Sequence, residues 1–222
     1  MEYLEGLNPP QREAVEHTDG PVMIIAGAGS GKTRVLTYRI AHLIYARGVD
    51  PFHILSLTFT NKAASEMKHR IEKLEGLEAR NTWMATFHSV FAKILRVEAD
   101  KIGYPSNFTI YDADDSKSLI RTIVKEMRLD DKVYKPSVVL SRISGAKNRL
   151  ISWSAYQADP FVRADDEAAM RPRMGEIYQK YQDRLFKAGA MDFDDLLFNT
   201  NVLFRDHLDV LNKYQQRFKY VM

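Results

Sequence analysis

The sequence has no cysteine at all, which excludes disulfides, zinc–thiolate sites and thiol nucleophiles together. That usage fits a reducing compartment, and a cytoplasmic location is the expectation. Long apolar runs are also missing. The best, Val22 to Ala28, is seven residues, far below the roughly 18 that a membrane span needs, so no membrane partner is expected. The opening Met-Glu-Tyr-Leu-Glu-Gly-Leu-Asn-Pro-Pro is acidic and lacks an apolar stretch, so it does not read as a secretory leader. Six histidines, at 17, 42, 53, 69, 88 and 207, show no close ligand spacing, and no histidine metal centre is expected. A strong charge of one sign is absent as well: 32 Lys+Arg face 29 Asp+Glu, and a net +3 does not announce a polyanionic partner.

What is present is an ordinary globular composition. The 222 residues, 45% apolar and 11% aromatic, suffice for one large or two small domains with a real core. The positive excess is local: Tyr111 to Ala190 carries 15 Lys+Arg against 12 Asp+Glu, and the rest of the chain is balanced. This bias suits contact with nucleic-acid backbone, and a solvated helical surface would look the same.

Hydrophobic periodicity divides the chain. Pro21 to Ala26 is β-branched and bounded by glycines, which predicts a fully buried strand of a parallel sheet. Thr33 to Arg47 predicts a helix, Ile54 to Phe59 a strand, Ala63 to Leu74 a helix, Thr82 to Thr86 a short strand and Ser89 to Ile102 a helix. Such alternation implies an α/β core with parallel strands. From Asp112 to Lys187 the periodic segments are helical: Ser116 to Met127, Ser137 to Leu150, Ser154 to Ala158 and Asp165 to Ala188. This stretch reads as a helical insertion. A helix from Phe193 to Phe204 then leads through Leu208 to Phe218. Phe218-Lys-Tyr-Val-Met222 looks like the start of a core strand, and the expectation is that the parent chain continues beyond it.

One motif decides the chemistry. Ala26-Gly27-Ala28-Gly29-Ser30-Gly31-Lys32-Thr33 matches a phosphate-binding loop. The glycines allow a tight turn that aims successive N–H groups at one anion. The helix that follows points its positive dipole end at the same place. Lys32 is placed for the β- and γ-phosphates, and the Thr33 hydroxyl is placed as a Mg²⁺ ligand. Nucleotide triphosphate binding is therefore expected, with Arg34, directly after the loop, and Arg12, upstream of it, as further nucleotide-binding residues.

Four further motifs follow the same order along the chain as in a known family. They are Leu7-Asn8-Pro9-Pro10-Gln11-Arg12 before the loop, Leu57-Thr58-Phe59-Thr60-Asn61-Lys62 with Thr86-Phe87-His88-Ser89 after it, and Asp192-Phe193-Asp194-Asp195 later. Together these resemble the superfamily 1 DNA helicases of the UvrD, Rep and PcrA group, from Leu7 to the end. The resemblance implies a P-loop NTPase, RecA-like parallel-sheet domain with an inserted all-helical subdomain. Residues 1–110 and 191–222 would form the ATP-binding motor domain 1A and residues 111–190 the insertion 1B. It also implies a 3′-to-5′ ATP-dependent translocase acting in repair or replication, with ATP and Mg²⁺ as cofactors. Its partners would be single-stranded DNA, single-strand/duplex junctions and the remaining motor domains of the same chain.

By the same resemblance Gln11 reads adenine, which its paired donor and acceptor suit. Arg39 is a candidate to stack on the base, or else a solvated helix arginine. Phe59, Thr60, Asn61, Lys62, Thr86, His88 and Ser89 are implied as DNA contacts, with hydroxyls and an amide for phosphate and Phe59 for stacking. Phe59 reads equally as core, and His88 as structural. The acidic turn is not preceded by a good strand, so Asp192 reads as a helix N-cap rather than a metal ligand. In the family the last strand runs into Asp-Glu-x-Gln-Asp, which these residues do not include, so no hydrolysis is expected of them alone. A nucleotide kinase and a non-catalytic binding module are the rival readings.

Overall fold

The computed structural model describes residues 4–75 and 82–222, with the side chains of 73–75 left aside. Met1 to Tyr3 of the acidic opening thus lie outside the described residues. In chain order the elements are α1 (Pro9–Glu16), α2 (Lys32–Tyr45), β1 (Ile54–Thr58), α3 (Asn61–Glu75), β2 (Trp83–Thr86), α4 (Phe87–Glu98), β3 (Thr109–Tyr111) and α5 (Ala113–Glu126). They continue with α6 (Pro136–Asn148), α7 (Trp153–Ala158), α8 (Pro160–Ala168), α9 (Met174–Lys187), β4 (Ala190–Asp192), α10 (Phe193–Asp206), α11 (Leu208–Arg217) and β5 (Tyr220–Val221). They form two compact units, Met1–Val90 with Asn212–Met222, and Phe91–Leu211.

The first unit is built on a parallel sheet of order β2-β1-β5. Its central strand, Ile-Leu-Ser-Leu-Thr, is buried over its first three residues. Helices α2 and α3 supply the cover: Ile40, Leu43, Ile54, Met67 and Ile71 make one buried cluster, closed by Leu36, Met84 and Tyr220. Each such aliphatic side chain contributes about 1.5–3 kcal/mol on burial. The spacing of Ala64, Met67 and Ile71 puts all three on the buried face of α3, as the sequence predicts.

The first predicted strand is not there. Pro21 to Ala26 carries no regular secondary structure, and Met23 and Ile25 are 83% and 87% exposed. A strand exists only when a neighbour completes its hydrogen bonds. Among the described residues β5 pairs with β1 alone, and its other edge faces a cleft of about 730 Å³ rather than a strand, with Pro21, Val22 and Ile24 among its walls. The apolar run is real, but its exposure corrects the buried strand that the sequence predicts.

In the second unit every element from Ala113 to Lys187 is a helix, and a two-stranded parallel pair, β3 with β4, lies at its ends in sequence. The helices share one core: Ile120, Ile123, Val139, Ile143, Ile177, Tyr181 and Leu185 are all fully buried. The long helix expected over Asp165–Ala188 is two helices, α8 and α9. Met170 takes the left-handed conformation (φ 58°), and Arg171 N–H bonds back to the Asp166 carbonyl at 2.7 Å. Pro172 follows, with no N–H to continue the helical ladder.

Candidate functional site

The phosphate-loop segment leads directly into α2. Gly29 and Gly31 have φ of 75° and 85°, a conformation that costs any residue with a Cβ about 1–2 kcal/mol. Gly31 is the N-cap of α2 and offers no side chain there, so the first N–H groups of the helix stay available to an anion. Ser30 closes the loop from within, its Oγ donating to the Gly27 carbonyl at 2.7 Å. The Lys32 ammonium lies over the loop and donates to the Ala26 and Gly27 carbonyls at 3.0 and 2.6 Å. Ala28, Thr33 and Arg34 are exposed beside it. A cation, free amide donors and a helix N-terminus thus converge on one exposed spot, as phosphate binding requires.

Gln11 reaches this loop from α1. Its Nε2 donates to the Ser30 carbonyl at 2.9 Å, while its Oε1 accepts from the Asn8 backbone N–H at 3.1 Å. The second bond closes a capping box, because the Asn8 side chain accepts from Gln11 N–H in return. A Cβ added to Gly31 would meet Gln11 Nε2 at 3.0 Å, so the amide sits hard against the start of α2. Arg12 pairs with Glu16 on the helix surface. Arg39 goes elsewhere. It is 6% exposed, and its Nη1 donates to the Ala14 carbonyl at 2.7 Å. Burial lowers its pKa from the usual arginine range. It lines the cleft beside Pro21 and Ile24 rather than the loop.

The second group of residues leaves the sheet at one edge. β1 and β2 run parallel with Thr58 opposite Thr86, so Phe59–Lys62 and Phe87–Ser89 emerge side by side. Phe59 is 91% exposed, with its ring centroid 6.0 Å from that of Phe87. That settles the alternative of core packing against it. The hydroxyls have local work: Thr60 Oγ1 accepts from Ala63 N–H at 3.1 Å at the start of α3. Thr86 Oγ1 accepts from Ser89 N–H at 3.2 Å and shares a 2.8 Å bond with Ser89 Oγ at the start of α4. Asn61 and Lys62 are exposed, and His88 is half-buried.

The acidic turn serves the fold. Asp192 caps α10 in a capping box with Asp195, and both carboxylates meet Lys147 Nζ at 2.8 Å. Tyr181 OH adds a bond to Asp192 at 2.9 Å, and Gln182 Nε2 one to Asp195 at 3.1 Å. Lys147 is 2% exposed. Burial disfavours its ammonium, but attraction to Asp195 and Asp192 outweighs that, and its pKa is raised. Asp195 is pushed up to about 6, by burial first, with Lys147 pulling the other way. The sequence reading has the cap and misses the lysine. Its signal was available: Lys147 continues the apolar face of Val139 and Ile143, where a lysine needs a carboxylate partner. No cluster of three His, Asp or Glu side chains placed to hold a metal ion occurs among the described residues.

Residues 7–222 match the model of the UvrD/REP helicase N-terminal domain. The chain belongs to the UvrD/REP helicase family. It is 45% identical over 220 residues, 99% of its length, to the ATP-dependent DNA helicase PcrA of Bacillus subtilis, of which it covers 29%. It is 45% identical to PcrA of Staphylococcus aureus and 44% identical to PcrA of Staphylococcus epidermidis, each over 218 residues, 98% of the chain and 29% of the relative. The chain therefore spans less than a third of the length of these UvrD/REP relatives. Nucleotide binding follows from family and loop together, and no helix among the described residues is long and apolar enough to cross a membrane.

Proposed function

We propose that these residues are the ATP-binding and single-stranded-DNA-binding part of a 3′-to-5′ DNA helicase motor that acts in repair or replication. The observation that carries this is the loop itself: Lys32 and the open N-terminus of α2 for phosphate, with the Gln11 amide against Ser30 on its flank. ATP is the nucleotide, because Gln11 retains a donor and an acceptor lone pair for the adenine edge. Mg²⁺, held by the Thr33 hydroxyl and the phosphates, would neutralise charge on the transferring group. Lys32 orients the β- and γ-phosphates, and Arg34 and Arg12 add positive potential near the loop. Arg39 supports the site by holding α1 to α2 through Ala14, and base stacking by Arg39 requires that it leave this bond. Domain 1A comprises residues 1–110 and 191–222, and 1B residues 111–190. The remaining motor domains belong to the same full-length chain, and the protein acts at single-strand/duplex junctions from a cytoplasmic location.

On this reading DNA runs over the sheet edge that presents Phe59, Thr60, Asn61 and Lys62 beside Thr86, His88 and Ser89. Phe59→Ala is expected to weaken single-stranded DNA binding by about 1–3 kcal/mol, the size of one base–aromatic stack. Because the ring is 91% exposed, the melting temperature should stay put. Fluorescence anisotropy and thermal melting on one preparation check both. A clear loss of stability with unchanged affinity would remove Phe59 from the interface. Gln11→Ala should reduce the preference for ATP over GTP more than it lowers ATP affinity. It should also cost about 1 kcal/mol of stability through the lost capping box. Competition binding with the two nucleotides measures the first effect.

A further inference from the structure

The Phe91–Leu211 unit carries a cleft of about 490 Å³ that neither the phosphate loop nor the DNA-facing edge uses. Two helices shape it. Tyr178, Gln182 and Phe186 follow at four-residue intervals on α9, and Phe198 and Val202 do so on α10, so each helix offers one stripe. Trp153 of α7 and Tyr104 add two more rings to the wall. The aromatic groups are held in place. Phe186 meets Tyr104 edge-on with centroids 5.0 Å apart, and Tyr178 OH donates to the Ile151 carbonyl at 3.0 Å. Gly103 leaves room for this packing, because a Cβ there would come within 3.3 Å of the Phe186 ring.

The charges that line the cleft leave one carboxylate over. Lys101 is taken by Asp209 at 2.7 Å, and Asp206 by Arg205 at 2.6 Å. Asp183 has no ion pair among the described residues, and it stands next to the aromatic stripe of α9. An uncompensated carboxylate beside aromatic rings suits a guanidinium or ammonium, which is drawn both to the charge and to the ring faces.

Two amides narrow the class further. Gln182 is anchored by its Nε2 to Asp195 at 3.1 Å, and among the described residues its Oε1 is buried without a donor and Asn199 Nδ2 is buried without an acceptor. Tyr104 OH interacts with both amides and still leaves these two atoms unbonded. Buried polar atoms without partners are unfavourable, and here the missing partners are one donor and one acceptor. A peptide unit supplies both. A polyamine at neutral pH has donors alone and would leave Asn199 Nδ2 as it stands.

We propose that this cleft docks an arginine-bearing segment of a partner protein. The guanidinium stacks on the Trp153 and Phe186 rings and pairs with Asp183, while the main-chain N–H and C=O beside it meet Gln182 and Asn199. This goes beyond the motor reading and does not depend on it.

The test is a titration of the 222-residue chain with the blocked peptide acetyl-Ala-Ala-Arg-Ala-Ala-amide, followed by the indole N–H signals in nitrogen-15 NMR spectra. The Trp153 signal should shift saturably, and that of Trp83, which lies outside the cleft, should not. Asp183→Asn should weaken the peptide by about three- to fivefold, the scale of an exposed ion pair. Phe186→Ala should weaken it by about threefold or more, the scale of one cation–ring contact. The same peptide with citrulline for arginine is neutral and should bind far more weakly. Asn199→Leu removes the orphaned donor and adds a better helix former, so it should raise the melting temperature, yet it should also weaken the peptide. A merely structural role does not produce that opposition of sign, and it stands even if Phe186→Ala folds poorly. An unmoved Trp153 signal, or equal affinity for the arginine and citrulline peptides, would overturn the proposal. Spermidine that shifts Trp153 as tightly as the peptide does, with no loss in Asn199→Leu, would overturn the assignment to a polypeptide.

Discussion

Lys147→Met is expected to destabilise the Phe91–Leu211 unit by about 3–5 kcal/mol, the usual cost of removing one partner from a buried ion pair. Methionine fills much of the same volume, so the loss is electrostatic rather than a cavity. What remains is two carboxylates 4% and 0% exposed, one capping α10 and one in its first turn, with Tyr181, Gln182 and the two backbone N–H groups of the capping box, but no cation, to share their charge. Adding Asp195→Asn to the variant should restore part of the loss, because it removes one of the stranded charges.

The pH dependence gives this expectation a sign. Asp195 titrates near 6 in the folded chain against an ordinary 3.8. A carboxylate raised in this way carries no penalty below its unfolded value. Its penalty grows as pH rises through the folded one. Without Lys147 the attraction that holds it down is gone, and Asp195 moves further up. Lys147 itself is raised above 10.5, so its stabilising contribution is complete at neutral pH and is lost only as alkaline pH passes its folded value. The stability gap between wild type and Lys147→Met should therefore be narrow at about pH 4.5 and wide at about pH 7.5. Urea melts at the two values measure it. A gap of constant width would place the defect in packing.

Much of this molecule is legible in the sequence because the relevant physics is local. The phosphate loop is recognisable from glycines that must take positive φ, and Gly29 and Gly31 do so. The Asp192 cap follows from an acidic residue set before a helical run, and it is formed. Strands β1 and β2 are short β-branched or apolar runs, and they pair in parallel as expected. What the sequence hides depends on distant partners. Pro21–Ala26 has every local mark of a strand, but pairing belongs to the neighbour, and none is bonded to it. Lys147 lies 45 residues from Asp192, so only the fold brings them together. The break between α8 and α9 turns on Met170 accepting a left-handed φ, which propensity disfavours in a non-glycine residue. Phe59 is the reverse case: its type suggests a core, and only its 91% exposure shows that it faces outward.

The second large effect concerns the loop. Lys32→Ala removes an ammonium that now bonds the Ala26 and Gly27 carbonyls and that the nucleotide reading turns toward phosphate. One charge-assisted contact is worth about 1.5–3 kcal/mol, or roughly 10- to 100-fold in affinity. The side chain is exposed, so the fold should tolerate its loss and the melting temperature should change little.

The most direct measurement is calorimetric titration of this chain and its Lys32→Ala variant with a non-hydrolysable ATP analogue and Mg²⁺. Saturable one-to-one binding by the wild type and a loss of tenfold or more in the variant, with matched melting curves, is the result expected of a phosphate-binding loop. Equal affinity in the two proteins, or heat of binding in neither, would contradict it.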